Sequence, residues 1–220
     1  MTEIVTYVII GITVLVSIMA FNNASLYQQL IFNPYTVKHS KQYYRILSHT
    51  LLHADWTHLA FNMYTFYSFG TFLEVVFSNP NIFRRFFPDH QFWGIQVGYI
   101  YFILLYLVGA VVASLPAIRK HGDNISYNAV GASGAVSAVI MAFMIMFPTL
   151  EIRMFFAIPM PAYVGALIFF GIEHYLQRRG GTNVAHDAHI YGAIGGIVFI
   201  ALIQPSFIVE FFTKIIASWM

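Results

Sequence analysis

Two short stretches of the chain hold residues able to do chemistry together. Gly131-Ala132-Ser133-Gly134-Ala135-Val136-Ser137-Ala138 sets a hydroxyl among small residues at the head of an apolar run, just after a polar loop. Ala188-His189-Ile190-Tyr191-Gly192-Ala193-Ile194-Gly195-Gly196 sets an imidazole at the head of another. A serine hydroxyl is a weak nucleophile until a neighbouring base takes its proton. An imidazole brought within about 3 Å of it is such a base. The chemistry on offer is nucleophilic hydrolysis by Ser133 and His189. The chain has no cysteine, so a thiol nucleophile, a thiolate metal site and disulfides are excluded.

Geometry is the harder demand, and small residues supply it. Gly134, Ala138 and Ala142 form one stripe at four-residue spacing; Ala188, Gly192 and Gly196 form another. Such stripes let membrane helices approach backbone to backbone. Stripes of this kind are common in membrane helices, so the hydroxyl and imidazole at their heads are what single these two out. Asp187 stands two residues before His189, a spacing that faces the wrong way on a helix. The expectation is therefore a Ser–His dyad, with Asp187 a boundary residue. His58 and Asn62 lie one turn apart on a further apolar segment, hence on one face. Their N–H groups are suitable donors to an oxyanion; the plainer alternative is an interfacial His58 and an interhelical bond from Asn62.

The elements that must position these groups belong to a membrane protein. Of 220 residues, 59% are hydrophobic and 9% charged, where a soluble domain carries about 25% charged residues. The net charge of +2 is too small for a nucleic-acid surface. The apolar runs predict six spans: Ile4–Phe21, His58–Phe77, Gly94–Leu115 stopped by Pro116, Ser133–Phe147, Met154 to about Leu176, and Ala188–Gln204. Residues 22–57 are too polar to span and too aromatic for a plain linker, which predicts an ordered loop in the interface. Glu210 and Lys214, four apart in 206–220, predict a short interfacial helix. The expected organisation is one all-α domain over 1–205 and an interfacial segment over 206–220. Glu173 and His174 fall at the end of the fifth span, as interfacial residues.

The fourth span carries the main inference. About fifteen residues at 1.5 Å each cover ~22 Å, short of the ~30 Å of bilayer hydrocarbon. With its far end at one surface near Pro148, Ser133 lies below the other. Exposed backbone is not tolerated in lipid, so the approach to Ser133 must be packed in protein or line a wet cavity.

With these motifs in hand, the chain resembles the rhomboid family of intramembrane serine proteases in its bacterial six-helix form. Gly131-Ala132-Ser133-Gly134 matches the family's GxSG, and Ala188-His189 through Gly192 and Gly196 matches its AHxxGxxxG. His58 to Asn62 matches HxxxN; Tyr44-Arg45 through His53, and Gly70 with Glu74, resemble the stretches before and at the end of the second helix. The resemblance implies that Ser133 is the nucleophile and His189 the general base. It implies an oxyanion hole of His58, Asn62 and the Ser133 N–H, with Arg45, Gly131, Gly134, Gly192 and Gly196 as structural motif residues. It also implies cleavage of single-span transmembrane protein substrates, a fifth helix acting as a lateral gate, and no cofactor. Two positions depart from the family. Its Trp-Arg pair is Tyr44-Arg45 here, and Ser137 stands where some bacterial members carry a tyrosine stacked on the histidine.

His49, His53, His58, His186 and His189 suggest a di-metal oxidase, but there is no His-x-x-His-His box and no His-Glu-x-x-His motif, so no metal is expected. An inactive rhomboid-like protein that binds client helices is the alternative to a protease. No span carries the row of ionisable groups that a channel or carrier would need. The expected partners are substrate helices and the lipid bilayer, with no nucleic acid. No organelle transit pattern is evident, which points to a bacterial plasma membrane. The family orientation puts Lys38, Lys41, Arg45, Arg119, Lys120, Arg178 and Arg179 outside and Arg84, Arg85, Arg153 and Lys214 inside, against the positive-inside rule.

Overall fold

The computed structural model describes residues 3–154, 157–180 and 185–220. Among the described residues the regular elements are helices apart from one short hairpin. The helices are α1 (Ile4–Phe21), α2 (Ala24–Leu30), α3 (Pro34–Ser40), α4 (Arg45–Ser48) with a 3-10 turn at His49–Leu51, α5 (Trp56–Ser78) and α6 (Pro80–Phe86). They continue as α7 (Ile95–His121), α8 (Ser133–Met146), α9 (Ala162–Arg179), α10 (His186–Ile203) and α11 (Ser206–Ala217). Three of them, α1, α7 and α10, are long and apolar enough to cross a membrane; α8 is apolar but shorter.

The burial pattern is that of a protein whose solvent is lipid. On α1, Thr6, Thr13 and Ser17 are fully buried, while Leu15 and Met19 are 63% and 60% exposed. Water would favour the reverse; hydrocarbon rewards turning polar groups inward, where Thr6 and Ser17 find protein partners. The N-terminus of α1 is held this way. Glu74 of α5, fully buried, accepts from the Val5 and Thr6 N–H groups at 2.8 and 2.7 Å and from the Thr6 hydroxyl at 2.6 Å.

The centre of the bundle is α8, buried from Gly134 to Met146 except for a half-buried Ile140. It packs against α5, α7, α9, α10 and α11. Glycines and alanines set the spacing. A Cβ on Gly192 would lie 2.1 Å from the Gly134 carbonyl oxygen, and one on Gly196 2.3 Å from that of Ala138. A Cβ on Gly134 would meet the Ala113 methyl of α7 at 2.4 Å. The paired stripes thus put α8 and α10 in backbone contact, and α7 against both.

Several span boundaries differ from expectation, α5 among them, which starts two residues early at Trp56. Pro116 does not stop α7, which runs on to His121. One backbone bond is forgone there, a loss that membrane helices tolerate. The fifth helix begins at Ala162, because Glu151–Met154 pairs antiparallel with Ile158–Pro161 as a β-hairpin, β1 and β2. Phe155 and Phe156, expected at the head of that span, lie outside the described residues. The sixth helix starts two residues early, at His186.

Residues 22–55 hold α2, α3, α4 and the 3-10 turn. Asn23 and Asn33 cap α2 and α3 by accepting from Leu26 N and Thr36 N. The Asn33 amide also donates to the Ile125 and Tyr127 carbonyls at 2.9 and 3.1 Å. Phe32 and Ala129 exchange backbone bonds of 3.1 and 2.9 Å, tying this loop to the segment that leads into Ser133. At the other end, α11 buries Phe207 against Phe87 at a ring distance of 4.6 Å. Glu210 and Lys214 form the expected ion pair at 2.8 Å.

Candidate active site

Ser133 is the first residue of α8, entered through Gly131 at φ +121°, a backbone conformation that glycine adopts without strain. The Gly131 N–H donates to the His49 carbonyl at 3.0 Å, so the 3-10 turn fixes the approach. Being at the helix start, Ser133 presents a backbone N–H with no intrahelical acceptor. Its side chain is half-buried.

The Ser133 hydroxyl and His189 Nε2 lie 2.7 Å apart. The two expected chemical groups, 56 positions apart in the chain, meet at hydrogen-bond distance. The close seat of α10 on α8 carries the imidazole to the hydroxyl.

The other ring nitrogen, Nδ1, lies 3.0 Å from Oε1 of Glu173. This corrects the sequence expectation, which left Glu173 at the membrane surface. Its side chain is 14% exposed and turned into the protein, and its second oxygen lies 2.7 Å from His186 Nδ1. Asp187, by contrast, points away as expected, pairing with Lys120 at 3.0 Å. Ser137 donates to the Ser133 carbonyl at 2.8 Å, a bond within α8.

His58 borders the same space. A Cβ on Gly131 would lie 3.0 Å from His58 Nε2 and 3.8 Å from the Ser133 hydroxyl oxygen, so ring and hydroxyl both flank Gly131. Asp55 caps α5 by accepting from His58 N at 2.7 Å. Asn62 is buried and uses one amide N–H on the His58 carbonyl at 3.0 Å, leaving its second donor.

Tyr44-Arg45 anchors the loop despite lacking a tryptophan. The Arg45 guanidinium donates to the Gln28 and Ile31 carbonyls at 2.9 and 2.6 Å and to Gln42 Oε1 at 2.6 Å. The Tyr44 hydroxyl reaches the Gln29 carbonyl at 3.2 Å. Beneath lie two buried histidines. His49 Nδ1 donates to the Arg45 carbonyl at 2.9 Å. Ser17 gives its proton to the Leu51 carbonyl at 2.8 Å and accepts from His53 Nδ1 at 3.0 Å. Burial pushes His49 down to about 4, and burial together with the neighbouring His58 pushes His53 down to about 3. A cavity of about 30 Å³ beside Ser133 is lined by His49, Thr50, Ser114, Gly131 and Ala188, among others.

Glu173, His186 and His189 bring their ligating atoms within 4.8 Å of one another, a spacing that a cation can use. The carboxylate, however, already bonds both rings, and the other nitrogen of His189 faces Ser133. The three side chains form a hydrogen-bonded cluster joined to the Ser133 hydroxyl.

A rhomboid domain model matches residues 40–206. The chain belongs to the rhomboid family. It is similar to the RHOMBOID-like protein 12, mitochondrial, of Arabidopsis thaliana, with 24% identity over 185 residues. The match covers 76% of this chain and 49% of that protein, so the chain spans about half the length of its relative. Every rhomboid motif quoted above falls inside the matched region.

Proposed function

We propose that this rhomboid is an intramembrane serine endopeptidase that cuts single-span transmembrane proteins in or near their helices. The observation that carries this reading is the 2.7 Å approach of His189 Nε2 to the Ser133 hydroxyl within a lipid-adapted bundle. In the reaction the Ser133 oxygen attacks the scissile carbonyl carbon while Nε2 takes the hydroxyl proton. The developing oxyanion is received by the Ser133 N–H, His58 and the free donor of Asn62. His189 then returns the proton to the leaving amine as the C–N bond breaks. A water repeats the sequence on the acyl-enzyme, and the cavity beside Ser133 has room and polar lining for one.

Six helices, α1, α5, α7, α8, α9 and α10, serve as the spans over 1–205, with α11 at the interface. The short α8 places Ser133 beneath the surface, and the first loop covers it. Substrate enters past α9, whose outer residues Leu167 and Tyr175 are 69% and 61% exposed. No metal or other cofactor takes part. A fluorophosphonate probe tests the nucleophile. Wild type in detergent is expected to label while Ser133→Ala does not; equal labelling of both would refute the assignment. An unlabelled, folded wild type would favour the alternative, an inactive rhomboid-like protein that binds client helices.

A further inference from the structure

A histidine acting as base must be held in one tautomer as well as one place. For Nε2 to accept the Ser133 proton, the proton of the neutral ring has to sit on Nδ1. In this structure Nδ1 faces Glu173 Oε1 at 3.0 Å. The carboxylate is itself fixed, because its second oxygen accepts from His186 Nδ1 at 2.7 Å. His186 and His189 are three apart on α10, hence on one face, and Glu173 lies between them on α9. Ser137 is committed to its own helix, so among the described contacts the acid is what orients the ring.

We propose that Glu173 is the positioning residue for His189, making the site a Ser133–His189–Glu173 triad braced by His186; this rests on the protease reading above. No proton moves to Glu173 in this scheme. The Ser133 proton goes to Nε2, the imidazolium keeps its Nδ1 proton, and the carboxylate stabilises that cation until Nε2 passes its proton to the leaving amine. Because the acid belongs to α9 and the base to α10, the base is correctly set only while α9 is seated. The ionisable groups facing His189 are Glu173 from α9, His186 from α10 and His58 from α5, with the Ser133 hydroxyl from α8.

The test is steady-state cleavage of a single-span substrate in proteoliposomes by wild type, Glu173→Gln, Glu173→Asp and His186→Gln, with thermal midpoints alongside. Glu173→Gln is expected to lower kcat by about 100-fold or more, with KM changed by less than about 3-fold. Glu173→Asp retains the charge and is expected to recover part of the rate, and His186→Gln to lose about 10-fold. A folded Glu173→Gln within about 3-fold of wild type in kcat, or a loss that tracks the thermal midpoint and is not recovered in part by Glu173→Asp, would overturn the proposal. Failure of wild type itself to cleave and to label would instead remove the protease reading.

Discussion

Gly192 of α10 rests on the backbone of Gly134 in α8 so closely that a methyl group at 192 would sit 2.1 Å from the Gly134 carbonyl oxygen. No side-chain movement can relieve that contact, because the obstacle is main chain. The approach lies at the residue next to Ser133 on α8 and one turn from His189 on α10, and sets the distance between them.

Gly192→Ala is therefore expected to push α10 outward and open the Ser133–His189 bond. Overpacking of this kind costs about 1–3 kcal/mol, and a displacement near 1 Å lowers the rate by about 100-fold. Thermal unfolding in detergent and cleavage assays check both. Gly171→Ala is the control, since nothing lies within 4 Å of a Cβ there. Equal behaviour of the two variants would show that the stripe does not set the site.

Glu74 tests the other end of the bundle. Its carboxylate takes three bonds from the first turn of α1, where an anion also faces the positive end of the helix dipole. Glu74→Ala leaves the Val5 and Thr6 N–H groups unmet in a buried place and is expected to cost about 2–4 kcal/mol. The loss should appear as a lower midpoint of unfolding and early proteolysis near the N-terminus. An unchanged midpoint would contradict the capping role.

His49 and His53 give the first loop a pH dependence with a definite sign. Both are held neutral by burial, far below their ordinary value of 6.5. Between pH 6.5 and about 4 the unfolded chain takes protons that the folded loop refuses, so stability falls as pH falls. The slope is about 1.4 kcal/mol per pH unit for each histidine while it remains neutral. Asp123 is held below the usual carboxylate range by hydrogen bonds from Lys38 and His39. The Ser133→Ala protein is expected to unfold at a lower temperature at pH 5.0 than at pH 7.5. A midpoint constant over that interval would contradict the assignment.

Much of the site was legible in the sequence because its parts sit at helix heads followed by small residues. Ser133 and His189 needed only the stripes behind them to be paired. Gly131 reflects a backbone turn that favours glycine. Glu173 was missed because it comes from a third helix, and because Arg178 and Arg179 close by make it look like a boundary charge. Its signal was present: Ala162, Ala166 and Glu173 follow one another at helical spacing, and both alanines are buried. The hairpin was missed because Met154–Pro161 is apolar and reads as a helix start. Pro159 and Pro161 in that run are better suited to a strand edge than to a helix interior. Pro116 misled in the opposite direction, since a packed membrane helix absorbs one absent N–H.

The central claim is most directly tested by cleavage of a single-span substrate in proteoliposomes. Wild type is compared with Ser133→Ala and His189→Ala, each first shown to unfold within a few degrees of wild type. Wild type is expected to yield two fragments cut in or beside the substrate's helix, and both variants none. Full cleavage by either variant would contradict the account.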